Sequence, residues 1–475
     1  MKDYKLLIDG KLVAGASTLD VVNPATEEVL GLCPRADLTQ LNQAVAAAKR
    51  AFPAWSAKTT AERGEVLNRL ADALEARHAE FARLLTEEQG KPLDFAMFEV
   101  SIALGMLRYF AGRDTPTKVL REDDNVRIVQ HHTPLGVVAA IMPWNFPMIM
   151  LCSKIAPAIS VGNTVVCKPA PTTPLTAMLF GELCVGLVPD GVINIIGDAN
   201  DLGAALTGHP DVAKVSFTGS TATGKKVMQS AAGSLKRLTL ELGGNDAAIV
   251  LENSDTKEVA AKVFAGATLN SGQICMAVKR VYVHESQYDA MCEELGRLAE
   301  AAVVGDGLEQ GTQLGPIQNK AQYDKVLGYI EEARQKGKIV AGGESNDRKG
   351  YFVRPTIVRD MPEDSRLVQE EQFGPVLPVL KYADLNDAIA RANATTYGLA
   401  GTVWGNDLKH AYEVAQQIDS GTIWVNQHLD LPYDIPMGGA KESGVGVEMG
   451  EDGLAEFTQA KVINIAKHGL AATVA

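Results

Sequence analysis

The apolar positions of the chain change spacing along its length, and each spacing predicts a different kind of element. Over the first 35 residues, short apolar stretches alternate with turn residues and predict small strands. From about 38 to 113 the spacing is helical. Leu67, Leu70 and Leu74, then Phe81, Leu84 and Leu85, recur on one face, and Gly90 with Pro92 predicts the stop. From about 135 to 254, short runs rich in valine and isoleucine occur at 136–142, 163–167, 191–197, 213–217, 237–242 and 247–251, with helix-length segments between them. Apolar strands alternating with helices predict an α/β fold around a parallel, doubly wound sheet buried on both faces.

A second series, at 280–283, 339–341, 356–358, 376–380 and 421–425 with a helix over 287–302, is long enough to form its own core. It places a boundary near 245–255. Residues 116–134 interleave charged residues with Val119, Leu120, Val126, Ile128 and Val129, which predicts a ribbon standing off the main body. The segment 462–465 is apolar enough to pair with such a ribbon, its own or a partner's.

Composition narrows the function classes. At 475 residues the chain suggests two or three domains. A net charge of −13 argues against nucleic acid or an anionic membrane as the main partner. No apolar run reaches the roughly 18 residues of a bilayer span, and the first residues lack the apolar stretch of a secretory signal. The six cysteines (33, 152, 167, 184, 275, 292) show no Cys-x-x-Cys pair, which predicts reduced thiols, no metal site and a cytoplasmic address.

Three segments carry candidate chemistry. Cys275 ends the small, polar stretch Asn270-Ser271-Gly272-Gln273-Ile274-Cys275. Glu241 ends an apolar strand marked by Leu238, Leu240 and Leu242, where a carboxylate is costly unless it has a partner or a task. Asn145 is an amide between Pro143 and Pro147. A thiol, a carboxylate and an amide donor are what forming and breaking a thioester requires. Two further segments suit an anionic ligand. The run 213–224 leads from a strand into a glycine-rich helix start, though without Gly-x-Gly-x-x-Gly, and Lys168 closes another strand. Each piece also has a plain alternative: a buried small hydrophobe for Cys275, strand-end charges for Glu241 and Lys168, a turn residue for Asn145, a solvated acidic turn for 370–375. Their joint order is what discriminates.

Taken together, Pro143–Pro147, Lys168-Pro169, Phe217–Gly224, Glu241–Asp246, Gly272–Cys275, Glu371–Pro375 and Pro436–Gly444 resemble the aldehyde dehydrogenase superfamily across essentially the whole chain. The resemblance implies a Rossmann-like cofactor domain (1–115 and 135–244), a related catalytic domain (245–445), and an oligomerisation ribbon with a C-terminal strand (116–134 and 458–475). Carried over by motif, Cys275 is the nucleophile and Glu241 the general base. Asn145 and the Cys275 backbone N–H form the oxyanion hole, and Lys154 and Glu448 form a proton path. The cofactor cleft would comprise Trp144, Lys168, Thr218, Gly219, Ser220, Gly224, Leu242, Gly243, Glu371 and Phe373. Phe146, Met150, Ser153, Ile274, Met276, Leu431 and Met437 would line the substrate pocket.

The cofactor implied is NAD. NADP is left open, because Pro171 stands where many NAD-preferring relatives carry a glutamate. The partners implied are a small-molecule aldehyde and further copies of the chain. Glu241 argues against the acyl-CoA-forming relatives, and Ser153 and Met437 argue against a quaternary-ammonium aldehyde. The expected reaction is oxidation of an apolar aliphatic or aromatic aldehyde to the acid. A thiol esterase or acyl-transfer enzyme without redox, and a non-catalytic binding protein on the same scaffold, are the alternatives.

Overall fold

The computed structural model describes residues 2–344 and 348–468. Two sheets organise the molecule. The first has eight strands, in the order Lys11–Val13, Leu6–Ile8, Ile193–Ile195, Thr164–Lys168, Val137–Ile141, Val212–Thr218, Arg237–Glu241, Gly444–Val445. Its five inner strands pair in parallel, and antiparallel pairs close both edges. Val137–Ile141 and Thr164–Lys168 are buried at every position, which explains the unbroken apolar character of the first and the apolar centre of the second.

The second sheet has seven strands, in the order Lys338–Ala341, Thr356–Arg359, Val376–Tyr382, Arg280–His284, Ala247–Val250, Ala400–Trp404, Thr422–Val425. All of its pairings are parallel except that of Lys338–Ala341. Ala400–Trp404 was not anticipated from the pattern, because its Ala-Gly-Thr opening lacks the β-branched density of its neighbours.

The early helical stretch is several helices. Leu38–Ser56 and Thr60–Ala76 start at capping boxes on Asp37 and Thr59. Thr60–Ala76 ends at Arg77, so the two leucine-rich faces sit on separate helices, and His78–Gln89 then stops at a left-handed Gly90. These helices pack with the first sheet in one large core.

Residues near 445 cross back between the sheets. Gly444–Val445 joins the edge of the first sheet beside Leu240 and Glu241, and Leu454 and Phe457 pack into its core. The polypeptide that follows the expected end of the catalytic segment therefore returns to the expected cofactor side. Lys118–Glu122, Val126–Pro134 and Thr458–Ala466 form a separate three-stranded antiparallel sheet, so the C-terminal strand pairs with the chain's own ribbon. Residues 469–475 of the expected C-terminal strand lie outside the described residues.

Candidate active site

The parallel sheets deliver the expected residues to neighbouring strand ends. Glu241 is the last residue of its strand and pairs in register with Thr218 on one side and Gly444 on the other. Immediately beyond Thr218, the Gly219 N–H donates to the Glu241 carbonyl at 3.0 Å. The Glu241 carboxyl is buried, and neither of its oxygens has a hydrogen-bond partner. Burial, reinforced by the nearby Glu448, pushes its pKa well above the usual carboxylate range.

Behind it lies a dry polar cluster. Lys154 Nζ donates to Glu448 Oε1 at 2.6 Å and to Ser216 Oγ at 3.1 Å, and Ser216 Oγ donates to the same carboxylate oxygen at 3.2 Å. The second oxygen of Glu448 is unpartnered. An ion pair this deep is satisfied on one side only, which suits proton exchange better than stability.

Cys275 sits in a loop of strained backbone. Asn270, Ser271 and Gly272 have consecutive positive φ values of 52°, 56° and 74°. At Gly272 an added Cβ would lie 2.5 Å from the Gly374 carbonyl oxygen, so a glycine is needed there on two counts. The Gln273 carbonyl accepts from Asn145 Nδ2 at 2.9 Å, which ties the expected oxyanion donor to the nucleophile's loop. The Asn145 main chain is held from the other side, its carbonyl accepting from Lys91 Nζ at 2.9 Å and from Asn270 Nδ2 at 3.1 Å. Lys91 is itself fully buried against Glu99.

Cys275 is half-buried, whereas the other five cysteines are buried; all six are free. Desolvation pushes its thiol up to about 12, and Lys279 is the largest opposing influence. Such a thiol needs help to ionise.

Around the sulfur, Phe146, Ile274, Met276, Leu431 and Met437 share one apolar cluster, joined by Leu399, Trp424 and Leu429. Met150 packs against the large core instead, and Ser153 Oγ is turned onto the Met150 carbonyl at 3.2 Å. The expected pocket residues therefore split into a group around the thiol and a pair on the helix Pro147–Ser160.

The residues expected to hold a dinucleotide line the adjoining strand ends. Ser220 caps the helix Thr221–Ala232, and an added Cβ at Gly224 of that helix would lie 2.4 Å from Leu242. Lys168 Nζ is buried and paired with Asp198 at 2.8 Å. Glu371 Oε1 accepts from the Gly244 N–H at 3.0 Å, beside Gly243. Trp144 and Phe373 meet edge to face at 5.2 Å. Two observations fit a bound ribose and phosphate. Thr218 Oγ1 is buried without a partner at the strand end. Glu371 has one backbone donor and a desolvated, upward-shifted carboxyl.

Sequence reading missed Lys91, Asp246, Lys279 and Trp424. Lys91 lies between two helix breakers, and Lys279 precedes an arginine at a strand entry, so both read as solvated charges. Two adjacent charges, Lys279 and Arg280, at the entry of a buried strand were the available signal.

Comparison with known proteins bears on the family and the fold. The model of the Aldehyde dehydrogenase family matches residues 12–463. The mitochondrial aldehyde dehydrogenase of Leishmania tarentolae is 41% identical, over 98% of this chain and 95% of its own. The phenylacetaldehyde dehydrogenase of Pseudomonas fluorescens is also 41% identical, over 98% of this chain and 96% of its own. Among solved structures, the NAD+ complex of the Bacillus cereus aldehyde dehydrogenase superposes with a TM-score of 0.95 at 37% identity, covering 98% of this chain and 97% of that one. With the family model spanning nearly the whole sequence, this chain belongs to the aldehyde dehydrogenase family.

Proposed function

We propose that this enzyme oxidises an apolar aldehyde, aliphatic or aromatic, to its carboxylic acid through a thioester on Cys275, with NAD as the favoured cofactor. The observation that carries the reading is the convergence of a half-buried thiol, the Asn145 amide bonded to the nucleophile's loop, and an unpartnered buried carboxyl at Glu241.

Cys275, as thiolate, adds to the aldehyde carbon. The oxygen that becomes negative is held by the Cys275 N–H and by the Asn145 Nδ2 hydrogen not used by Gln273. Lys168, Ser220 and Glu371 would hold the dinucleotide, which would supply the hydride acceptor. Glu241, once ionised, then takes a proton from water as that water attacks the thioester, and its raised pKa makes the carboxylate a stronger base than an ordinary one. Lys154 and Glu448 carry the proton away from Glu241.

Ile274, Met276, Trp424, Leu431 and Met437 offer the substrate apolar surface without a cationic side chain. The named activity of the Pseudomonas fluorescens relative supports an aryl-substituted aldehyde. Pro171 supplies no carboxylate against a 2′-phosphate, so NADP is the second cofactor to assay. Six free thiols and the absence, among the described residues, of any helix long and apolar enough to cross a membrane support a cytoplasmic address.

The half-exposed apolar residues Val119, Leu120, Val462 and Ile465 of the outlying sheet support assembly into a homo-oligomer. An aldehyde panel assayed with each cofactor tests the substrate class. Cys275→Ser is expected to abolish cofactor reduction while retaining cofactor binding, and a variant that still turns over rejects the mechanism.

A further inference from the structure

We infer that Lys279 is a positioning residue of this site, a buried ammonium that fixes the nucleophile's loop and sets the acidity of Cys275; this rests on the thioester reading above. Its Nζ donates to three carbonyls of one short stretch, Cys275 at 2.5 Å, Ile274 at 3.0 Å and Ala277 at 3.4 Å. A lysine has three N–H donors and no acceptor, so these bonds use its full capacity. Its backbone N–H is also committed, donating to the Asp246 carbonyl at 2.9 Å.

The side chain is buried, yet no carboxylate makes a close pair with it: Glu371 is nearest, at 4.0 Å. Asp246 directs one oxygen to the Ala400 N–H at 3.1 Å and leaves the other unpartnered. A buried positive charge held by three neutral carbonyls, with its nearest carboxylate as far off as 4.0 Å, keeps much of its field. That field falls on the residue whose carbonyl it grips.

The charged groups that act on the Cys275 thiol are Lys279 and the carboxyls of Glu371, Asp246 and Glu241. Lys279 is the one cation among them, so it is what offsets three potential negative charges around a sulfur that must itself become negative. Its carbonyl bonds also act on direction. The strained turn Asn270–Gly272 and the Asn145 bond fix the chain on the N-terminal side of Cys275, and Lys279 fixes it on the C-terminal side.

The test is the pH dependence of iodoacetamide alkylation at Cys275 in the free enzyme, followed by peptide mass spectrometry, for wild type, Lys279→Gln and Lys279→Arg. In Lys279→Gln the inflection is expected to rise by about one pH unit and alkylation at pH 8 to slow by about tenfold. Lys279→Arg keeps the charge, so its inflection is expected within about 0.3 unit of wild type, with a reduced kcat because a planar fork cannot reproduce three convergent bonds. A purely structural lysine would lower folded yield without moving the inflection. A Lys279→Gln profile that superposes on wild type overturns the inference. If Lys279→Gln yields no folded protein, an upward shift of the Lys279→Arg inflection by about one unit overturns it equally. Either result leaves the thioester reading intact so long as Cys275→Ser is inactive; a fully active Cys275→Ser removes that reading instead.

Discussion

Glu241→Gln should remove turnover and stabilise the fold, more so as the pH rises. In the native protein both carboxyl oxygens of Glu241 are buried without partners, at the end of its strand. Burial and Glu448 raise its pKa well above the usual range. In the unfolded chain this carboxyl ionises in the ordinary range; in the folded chain it holds its proton to higher pH. Between those two values folding takes up a proton, so stability falls as pH rises and levels off only above the folded value. One proton corresponds to about 1.4 kcal/mol per pH unit across that window. Glutamine keeps the size and removes the charge, so the slope due to this group disappears. Glu88 and Asp246, each raised to about 7 by burial, titrate in both proteins and cancel in the difference. The assay is urea unfolding of wild type and variant at half-unit steps from pH 5 to 9. The variant should gain on wild type steadily with pH. Parallel curves over that range would refute the claim that this carboxyl is buried, unpaired and reluctant to ionise.

Asn145→Ala should lower kcat by about 10²–10³ with little change in cofactor affinity, as steady-state kinetics and cofactor titration would report. Lys154→Met strands Glu448 in a dry site and should destabilise by about 3–5 kcal/mol, with the double variant Lys154→Met/Glu448→Leu recovering most of it in thermal unfolding. Val462→Asp/Ile465→Asp places charges on the half-exposed outlying strand, and sedimentation should show a shift to smaller species without loss of the monomer fold.

The parallel strands were legible because they obey a local rule, and the candidate triplet because its segments occur in a telling order. Buried parallel strands such as Val137–Ile141 are apolar at every position, and the carboxylate that follows Leu238 and Leu240 stands out against such a background. The Glu241 position was therefore readable once the neighbouring segments were taken in order. Lys279 was not, because its meaning comes from a loop that folds back over its ammonium, and nothing in the order of residues 274–279 fixes that curvature. The same holds for Lys91, whose importance lies in bonds to Asn145, far along the chain. Trp424 reads as an ordinary strand residue until the loop 427–436 brings Leu429 and Leu431 onto it. The path of residues 444–457 back to the first sheet was invisible for a related reason. An edge strand of two residues, Gly444–Val445, is too short for any periodicity.

Part of the molecule's strain and unpaired polarity falls where the chemistry is expected. Non-glycine residues with φ near +55° include Asn270 and Ser271 just before the thiol, Phe373 beside Trp144, and Leu429 in the apolar cluster. Each such residue costs about 1–3 kcal/mol and persists only where its surroundings over-determine it. Buried polar atoms without partners include both oxygens of Glu241 and one each on Asp246, Asn270 and Glu448. A core selected for stability alone would replace these groups or pair them. Their retention in one region is explained if substrate, water and the migrating proton complete the missing bonds in turn. On that account the sulfur's position is fixed by bonds on both flanks of the loop, so that the unpaired groups are held apart and do not collapse onto one another.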